Sequence, residues 1–253
     1  MRLLLFFVFI TSFISAQQSI RITYESKIIY PDSYLRTFSE SQKAAFDEAQ
    51  KRPYYATVTN NGEESLYMSV NRKKDEVIPG KDTGNEYDID KGNILKTPKR
   101  WRLTNFKEKN IIYNVIIDDK EYYYKKQIVE PQLIFTDKTL FVDKYLCNNA
   151  YRVNPKNNDT IKYWYTKEIP IDDGPSSIMG LPGMVLKIES KSSLEYATKV
   201  EFFKEKLVIE RPKESYNLTP PEEIKRLEME ARKPKSYIDS EGRKHTSGTP
   251  QKL

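Results

Sequence analysis

The chain has 253 residues, 42 Lys and Arg against 36 Asp and Glu, and a formal charge of +6, which is long enough for one sizeable hydrophobic core. The positive surplus is interspersed along the chain and no basic aromatic stripe accompanies it, which excludes a nucleic-acid partner and weakly favours acidic ones. A single cysteine, Cys147, excludes an intramolecular disulfide, so packing must supply the stability.

Residues 1–16, MRLLLFFVFITSFISA, read as a secretory signal peptide. Arg2 supplies the positive start and Leu3 to Ile10 the apolar run, and Ile14 and Ala16 stand at the −3 and −1 positions of a cleavage site before Gln17. The run is far shorter than the roughly 20 residues a membrane span needs. No later segment has spanning length, so the mature chain is expected to carry no transmembrane segment. The expected location is the periplasm, with association to the outer membrane.

Ser19 to Ile29 reads as a first strand, with Ile20, Ile22 and Tyr24 on one face. Ser39 to Lys51 reads as a short helix capped by Ser39, with Ala44, Phe46 and Ala49 as its apolar content and Pro53 as its stop. Tyr54 to Thr59 and Ser65 to Val70 flank Asn60-Asn61-Gly62-Glu63-Glu64, the strongest hairpin signal in the chain. Asn71 to Arg100 is polar, lacks periodicity and reads as a long loop. Strands then follow at Lys109 to Ile117, Glu121 to Val129, Gln132 to Asp137, Leu140 to Val142, Tyr145 to Asn154 and Asp159 to Thr166. Met184 to Ser190, Tyr196 to Lys204 and Leu207 to Glu210 complete the series. Thr219-Pro220-Pro221-Glu222 starts a C-terminal helix, with Thr219 as cap and Pro220 as first helical residue. The helix is expected within 213–234, and 235–253 reads as a disordered tail. Residues 17–212 then form one mainly β domain: an antiparallel curved sheet, either half-barrel or sandwich-like, with one short helix in its N-terminal half and a C-terminal helix beyond it.

The strongest local signal is 164–189, WYTKEIPIDDGPSSIMGLPGMVLKIE. Three of the chain's nine glycines, Gly174, Gly180 and Gly183, fall within ten residues. Trp164-Tyr165 leads into Ile169-Pro170, Gly174-Pro175 and Gly180-Leu181-Pro182-Gly183, and Met184-Val185 re-enters a strand. This order of elements resembles the GLPGLI family of exported Bacteroidota proteins. Met184 and Val185 replace that family's Leu-Ile and keep its apolar character. Asp143 to Ala150 resembles a further family segment, with Asn149 where Lys is usual, and Trp101 resembles the Trp that opens a family strand. The resemblance implies export and a mostly β architecture, and no established reaction.

Catalytic chemistry finds no support in these residues. His245, the single histidine, lies in the tail, so no Ser-His-Asp or Cys-His set can assemble. The carboxylate pairs Asp172-Asp173 and Asp118-Asp119 sit at turns, where Asp bonds locally. Met179, Met184 and Cys147 are the residue types that suit Cu(I), and Glu168, Asp172 and Asp173 suit a hard cation, but packing and turn chemistry account for both sets. No cofactor is expected. Asp159-Thr160-Ile161 fits a short O-glycosylation pattern. Three functions remain. The first is a non-catalytic binding or assembly factor that takes a lipid or lipoprotein, or an envelope protein, on an aromatic-lined concave sheet face. The second is a structural subunit of an envelope complex, docking through 71–100 and the tail. The third is a copper-type metal-handling protein.

Overall fold

A computed structural model describes residues 19–29, 36, 38–40, 43–44, 47, 53–70, 100–118, 120–155, 158–176, 178–212, 214–231, 233, 235–238 and 244–247. Residues 1–16, read as a signal peptide, and nearly all of the stretch read as the 71–100 loop lie outside the described residues. Of the helix expected over 39–51, the described residues Glu40, Lys43, Ala44 and Asp47 are helical, and Lys43 N donates to Ser39 O at 2.9 Å. The rest of that helix lies outside the described residues.

Among the described residues, eleven strands form one antiparallel sheet that is open rather than closed into a barrel. The strands are β1 (Ser19–Ile28), β2 (Tyr54–Asn60), β3 (Glu64–Val70), β4 (Trp101–Asn105), β5 (Asn110–Ile117), β6 (Lys120–Gln127), β7 (Ile134–Val142), β8 (Tyr145–Val153), β9 (Thr160–Thr166), β10 (Met184–Glu189) and β11 (Ser193–Phe203). Their order is β6-β5-β4-β3-β2-β1-β11-β10-β9-β8-β7. From β1 at the centre the strands meander out to the β6 edge, then resume at the far β7 edge and meander back until β11 pairs with β1. The sequence left half-barrel and sandwich-like arrangements open; the eleven strands are one continuous hydrogen-bonded sheet that does not close into a barrel.

The first strand shows how patterning sets the architecture. Ile20, Ile22 and Tyr24 are fully buried, as the alternation predicts. Registers carry that face outward: Ile22 lies opposite Val58, Val58 opposite Tyr67, Tyr67 opposite Arg102, and Arg102 opposite Tyr113. The main core joins Ile20, Ile22, Tyr24 and Val58 to Cys147, Trp164, Ile169, Met184 and Leu186. A second cluster gathers Tyr163, Tyr165, Ile178, Leu181 and Val185. The Asn-Gly hairpin forms as predicted. Gly62 takes φ 85°, and the Asn61 side-chain oxygen accepts from Glu63 N at 3.1 Å and Glu64 N at 2.9 Å.

Several expectations need correction. Gln132 to Asp137 and Leu140 to Val142 are one strand, β7, interrupted by a bulge between Thr136 and Thr139; the irregular residues broke its period in the sequence. Leu207 to Glu210 joins no strand. Leu207 N donates to Ser19 Oγ at 2.8 Å, and Ile209 buries itself against Leu66, Trp101, Leu103 and Tyr123. The C-terminal helix α1 (Pro221–Ala231) starts one residue later than predicted, because Ile224 N bonds Pro220 O, which makes Pro220 the cap. Ile224 is its one buried residue. The tail is not featureless: β12 (Lys235–Ile238) pairs with β13 (Lys244–Ser247), with Tyr237 opposite His245. Tyr, Ile and Thr favour strands, and that local preference overrides the polar composition.

Candidate functional site

The Gly-Pro and GLPG segment is a backbone device held by two adjacent aspartates. Asp172 accepts from Gly180 N at 2.7 Å and Leu181 N at 3.1 Å, which pins the GLPG turn to the Ile-Asp-Asp stretch. Gly180 takes φ +93°, a conformation that glycine adopts without strain. Burial pushes the Asp172 carboxyl upward, while the two N–H bonds pull it back. Asp173 is 1% exposed. It accepts from Asn60 Nδ2 at 2.8 Å and Gly174 N at 2.8 Å, and lies 3.6 Å from Arg102 Nη2. Arg102 also donates to Gly174 O at 2.7 Å and Pro175 O at 3.1 Å. One guanidinium thus joins β4 to the loop 71 residues further along the chain and beyond.

Other contacts close the segment. Met184 N donates to Ile169 O and Val185 N to Asp173 O, both at 2.9 Å, and the Tyr24 hydroxyl donates to Val185 O at 2.7 Å. Gly183 lies against Thr166: an added Cβ would meet Thr166 O at 2.0 Å. Gly174 packs on Val185, where a Cβ would stand 2.6 Å from that side chain. The predicted motif residues Ile169, Gly174, Pro175, Gly180, Leu181, Gly183, Met184 and Val185 are therefore brought together, around a structural knot. Trp164 and Tyr165, adjacent on β9, point into different clusters. Pro170 and Pro182 flank the knot and are exposed.

Beside the knot, Arg102 sits 5.3 Å from the Tyr67 ring, and the Tyr67 hydroxyl donates to Glu195 Oε1 at 3.4 Å. Burial pushes the Glu195 carboxyl up to about 7, against the Tyr67 bond and the Arg102 charge. An unfolded carboxyl titrates near 4.5, so the folded chain holds the extra proton between about pH 4.5 and 7. The contribution of Glu195 is then fully present below pH 4.5 and is lost as pH rises through 7. Denaturation series from pH 5 to pH 8 are expected to show stability falling by about 2 kcal/mol. Glu195→Gln should flatten that slope; an unchanged slope would assign it to other groups, Asp172 among them.

A second feature lies over β7–β9: a half-open groove of about 360 Å³. Thr136, Asn149 and Trp164 are directly opposite one another and form a row across three strands. Tyr151 and Lys162 form the next pair, Thr160 adds a hydroxyl, and the β7 bulge projects Lys138 into the lining. Thr136 Oγ1 donates to Asn149 Oδ1 at 2.9 Å, which fixes the amide at the floor. Trp164 Nε1 donates to Glu189 Oε2 at 3.2 Å, and Lys187 pairs with the same carboxylate at 2.6 Å. Burial pushes Glu189 up, but those bonds and the Lys187 and Lys162 charges prevail and hold its carboxyl below the usual range.

Of the groove residues, sequence reasoning counted only Trp164 in the motif; Asn149 and Thr160 were named there without a ligand role. The other lining residues had a readable signal, the period-two spacing Thr160, Lys162, Trp164 and Asn149, Tyr151, but only pairing of β8 between β7 and β9 makes them one surface. The proposed copper ligands do not form an open site. Cys147 is buried in the core beside Met184, and burial pushes its thiol up to about 11. Glu168 leaves the aspartates and accepts from Leu146 N at 3.1 Å. Among the described residues no group of three His, Cys, Asp or Glu is placed to hold a metal ion. No described helix is long and apolar enough to cross a membrane.

Two solved structures share the fold. Structures of PNGF-II in space groups P21 and C2 superpose with TM-scores of 0.55 and 0.51, each at 16% identity. Each match covers 88% of this chain, which spans 35% of the solved one. No curated protein matches. Residues 40–187, more than half of the chain and including the whole knot and groove, match the model described as "Protein of unknown function (Porph_ging)". The chain therefore belongs to the Porph_ging family.

Proposed function

We propose that the chain is an exported, non-catalytic binding module of the cell envelope, of the GLPGLI type, that takes a small polar ligand in the β7–β9 groove. The groove carries this reading. It combines a buried amide and indole with hydroxyls and lysines on a rigid sheet, and its size lies at the lower end of small-molecule sites. The knot, by contrast, is consumed by its own bonds and offers support rather than a surface. Titration of the intact chain with a panel of neutral and acidic sugars and phospholipid micelles, read by tryptophan fluorescence, tests it. Trp101 is buried against Tyr123 and Tyr216 in the other half of the sheet, so a response reports Trp164. A response to a polar small molecule that disappears in Trp164→Phe is expected. A response to lipid alone would replace this reading with the carrier one.

One observation favours a second reading, a subunit of an envelope complex. β7 is an open edge among the described residues and exposes Ile134, Phe135 and Phe141. Such an edge accepts an added strand from a protein partner. Recovery of a stoichiometric protein partner from native membranes, abolished by Phe141→Lys, would favour it.

A further inference from the structure

The groove has a charge imbalance that narrows what it binds. Lys138 and Lys162 line it, and Lys187 stands at its Trp164 end, while Glu189 is the one carboxylate the described residues place against Lys187 and Trp164. That carboxylate is already engaged by the Lys187 ammonium and the Trp164 indole. Lys138 makes no ion pair among the described residues, although the exposed bulge that carries it includes Asp137, which does not line the groove. Lys138 therefore has no carboxylate of its own, and Lys162 shares Glu189, its cross-strand neighbour, with Lys187 and the Trp164 indole, so the lining carries two ammonium groups and no carboxylate. The remaining polar lining is neutral: the Thr160 and Tyr151 hydroxyls are not bonded to other described groups, and the Asn149 amide is fixed by Thr136.

We infer that the groove takes a small hydroxylated anion, a sugar bearing a carboxylate or sulfate, with Lys138 and Lys162 on the anionic group and Tyr151 and Thr160 on ring hydroxyls. This rests on the reading of the groove as the ligand site and adds the chemical class. Two ammonium donors converging on one anion make charge-assisted hydrogen bonds, the stronger kind, and the hydroxyls supply directional contacts that a bare anion would leave unused. An apolar ligand would strand both lysines and the hydroxyls without partners.

Calorimetric titration of the intact chain with galacturonate, galactose 6-sulfate and galactose tests the assignment, because the three share a ring and differ in the group at one carbon. Galacturonate or galactose 6-sulfate is expected to bind at least about 10-fold tighter than galactose, since one charge-assisted bond lost is worth about that factor. The preferred anion identifies carboxylate or sulfate as the natural group. Lys138→Met and Lys162→Met, both at exposed positions that leave the fold intact by circular dichroism, are each expected to weaken anion binding about 5- to 10-fold and galactose binding by less. Equal affinity for galactose overturns the anionic class and leaves the groove as a neutral-sugar site. Anion binding that survives both lysine substitutions also overturns it, because the anion then sits elsewhere. Binding of none of the three, with no change in Trp164 fluorescence, overturns the sugar class here, and failure of the wider ligand panel as well would remove the groove reading itself.

Discussion

Arg102→Ala is expected to destabilise the fold by about 3–5 kcal/mol, the cost typical of removing one partner from a buried ion pair. The substitution strips the carbonyls of Gly174 and Pro175 of their donors and leaves the Asp173 carboxylate, 1% exposed, with only Asn60 and the Gly174 N–H. The loss would be read as a lower urea midpoint at unchanged slope. The double variant Arg102→Met, Asp173→Asn should recover much of it, because a neutral pair of similar volume removes the buried charge. Arg102→Ala falling within about 1 kcal/mol of the parent would mean that the pair does not hold the loop. Arg102→Lys should sit between the two, since an ammonium cannot bond both carbonyls and the carboxylate in the guanidinium's planar geometry.

Gly183→Ala should be more damaging than a methyl at Gly174 or Gly180. The new Cβ would stand 2.0 Å from Thr166 O and 2.8 Å from Thr166 C. Those are backbone atoms at the end of β9, so no rotamer change relieves them, and β9 and β10 must separate. A loss of about 3 kcal/mol or more is expected, at or beyond the upper end of overpacking costs. Gly180→Ala makes the control. Its Cβ would meet only the Glu130 side chain, at 3.7 Å or more, so its cost is the strain of φ +93°, about 1–2 kcal/mol. Paired thermal or urea unfolding of the two variants checks the order. Equal losses would show that the close approach to Thr166 is not what requires glycine at 183.

The two effects mark out what the motif is for. In the GLPG turn and the Gly-Pro before it, the Gly180 and Leu181 N–H groups bond Asp172, the Gly174 and Pro175 carbonyls accept from Arg102, and Gly183 lies against Thr166. The one motif residue that also reaches the groove is Trp164. Neighbouring Asp172 and Asp173 look like a pair in sequence. Folded, one serves the GLPG turn and the other the buried arginine.

Local chemistry alone determined much of the fold. Alternation of Ile20, Ile22 and Tyr24 gave the first strand and its buried face, and Asn61-Gly62 gave the hairpin, because side-chain direction and φ > 0 are set within a few residues. Strand content and the lack of crossover helices gave an antiparallel sheet. The bulge in β7 was read as a break, since the two extra residues Asp137 and Lys138 interrupt the alternation on which the reading depends. What only the tertiary structure decided is which distant residues meet. Arg102 and Asp173 are 71 positions apart, and neither one's neighbours announce a buried partner. Thr136, Asn149 and Trp164 become one row only when β8 pairs on both sides. Periodicity carries which face a side chain takes, but pairing partners are chosen by the global packing of the sheet, and both the knot and the groove are products of that choice.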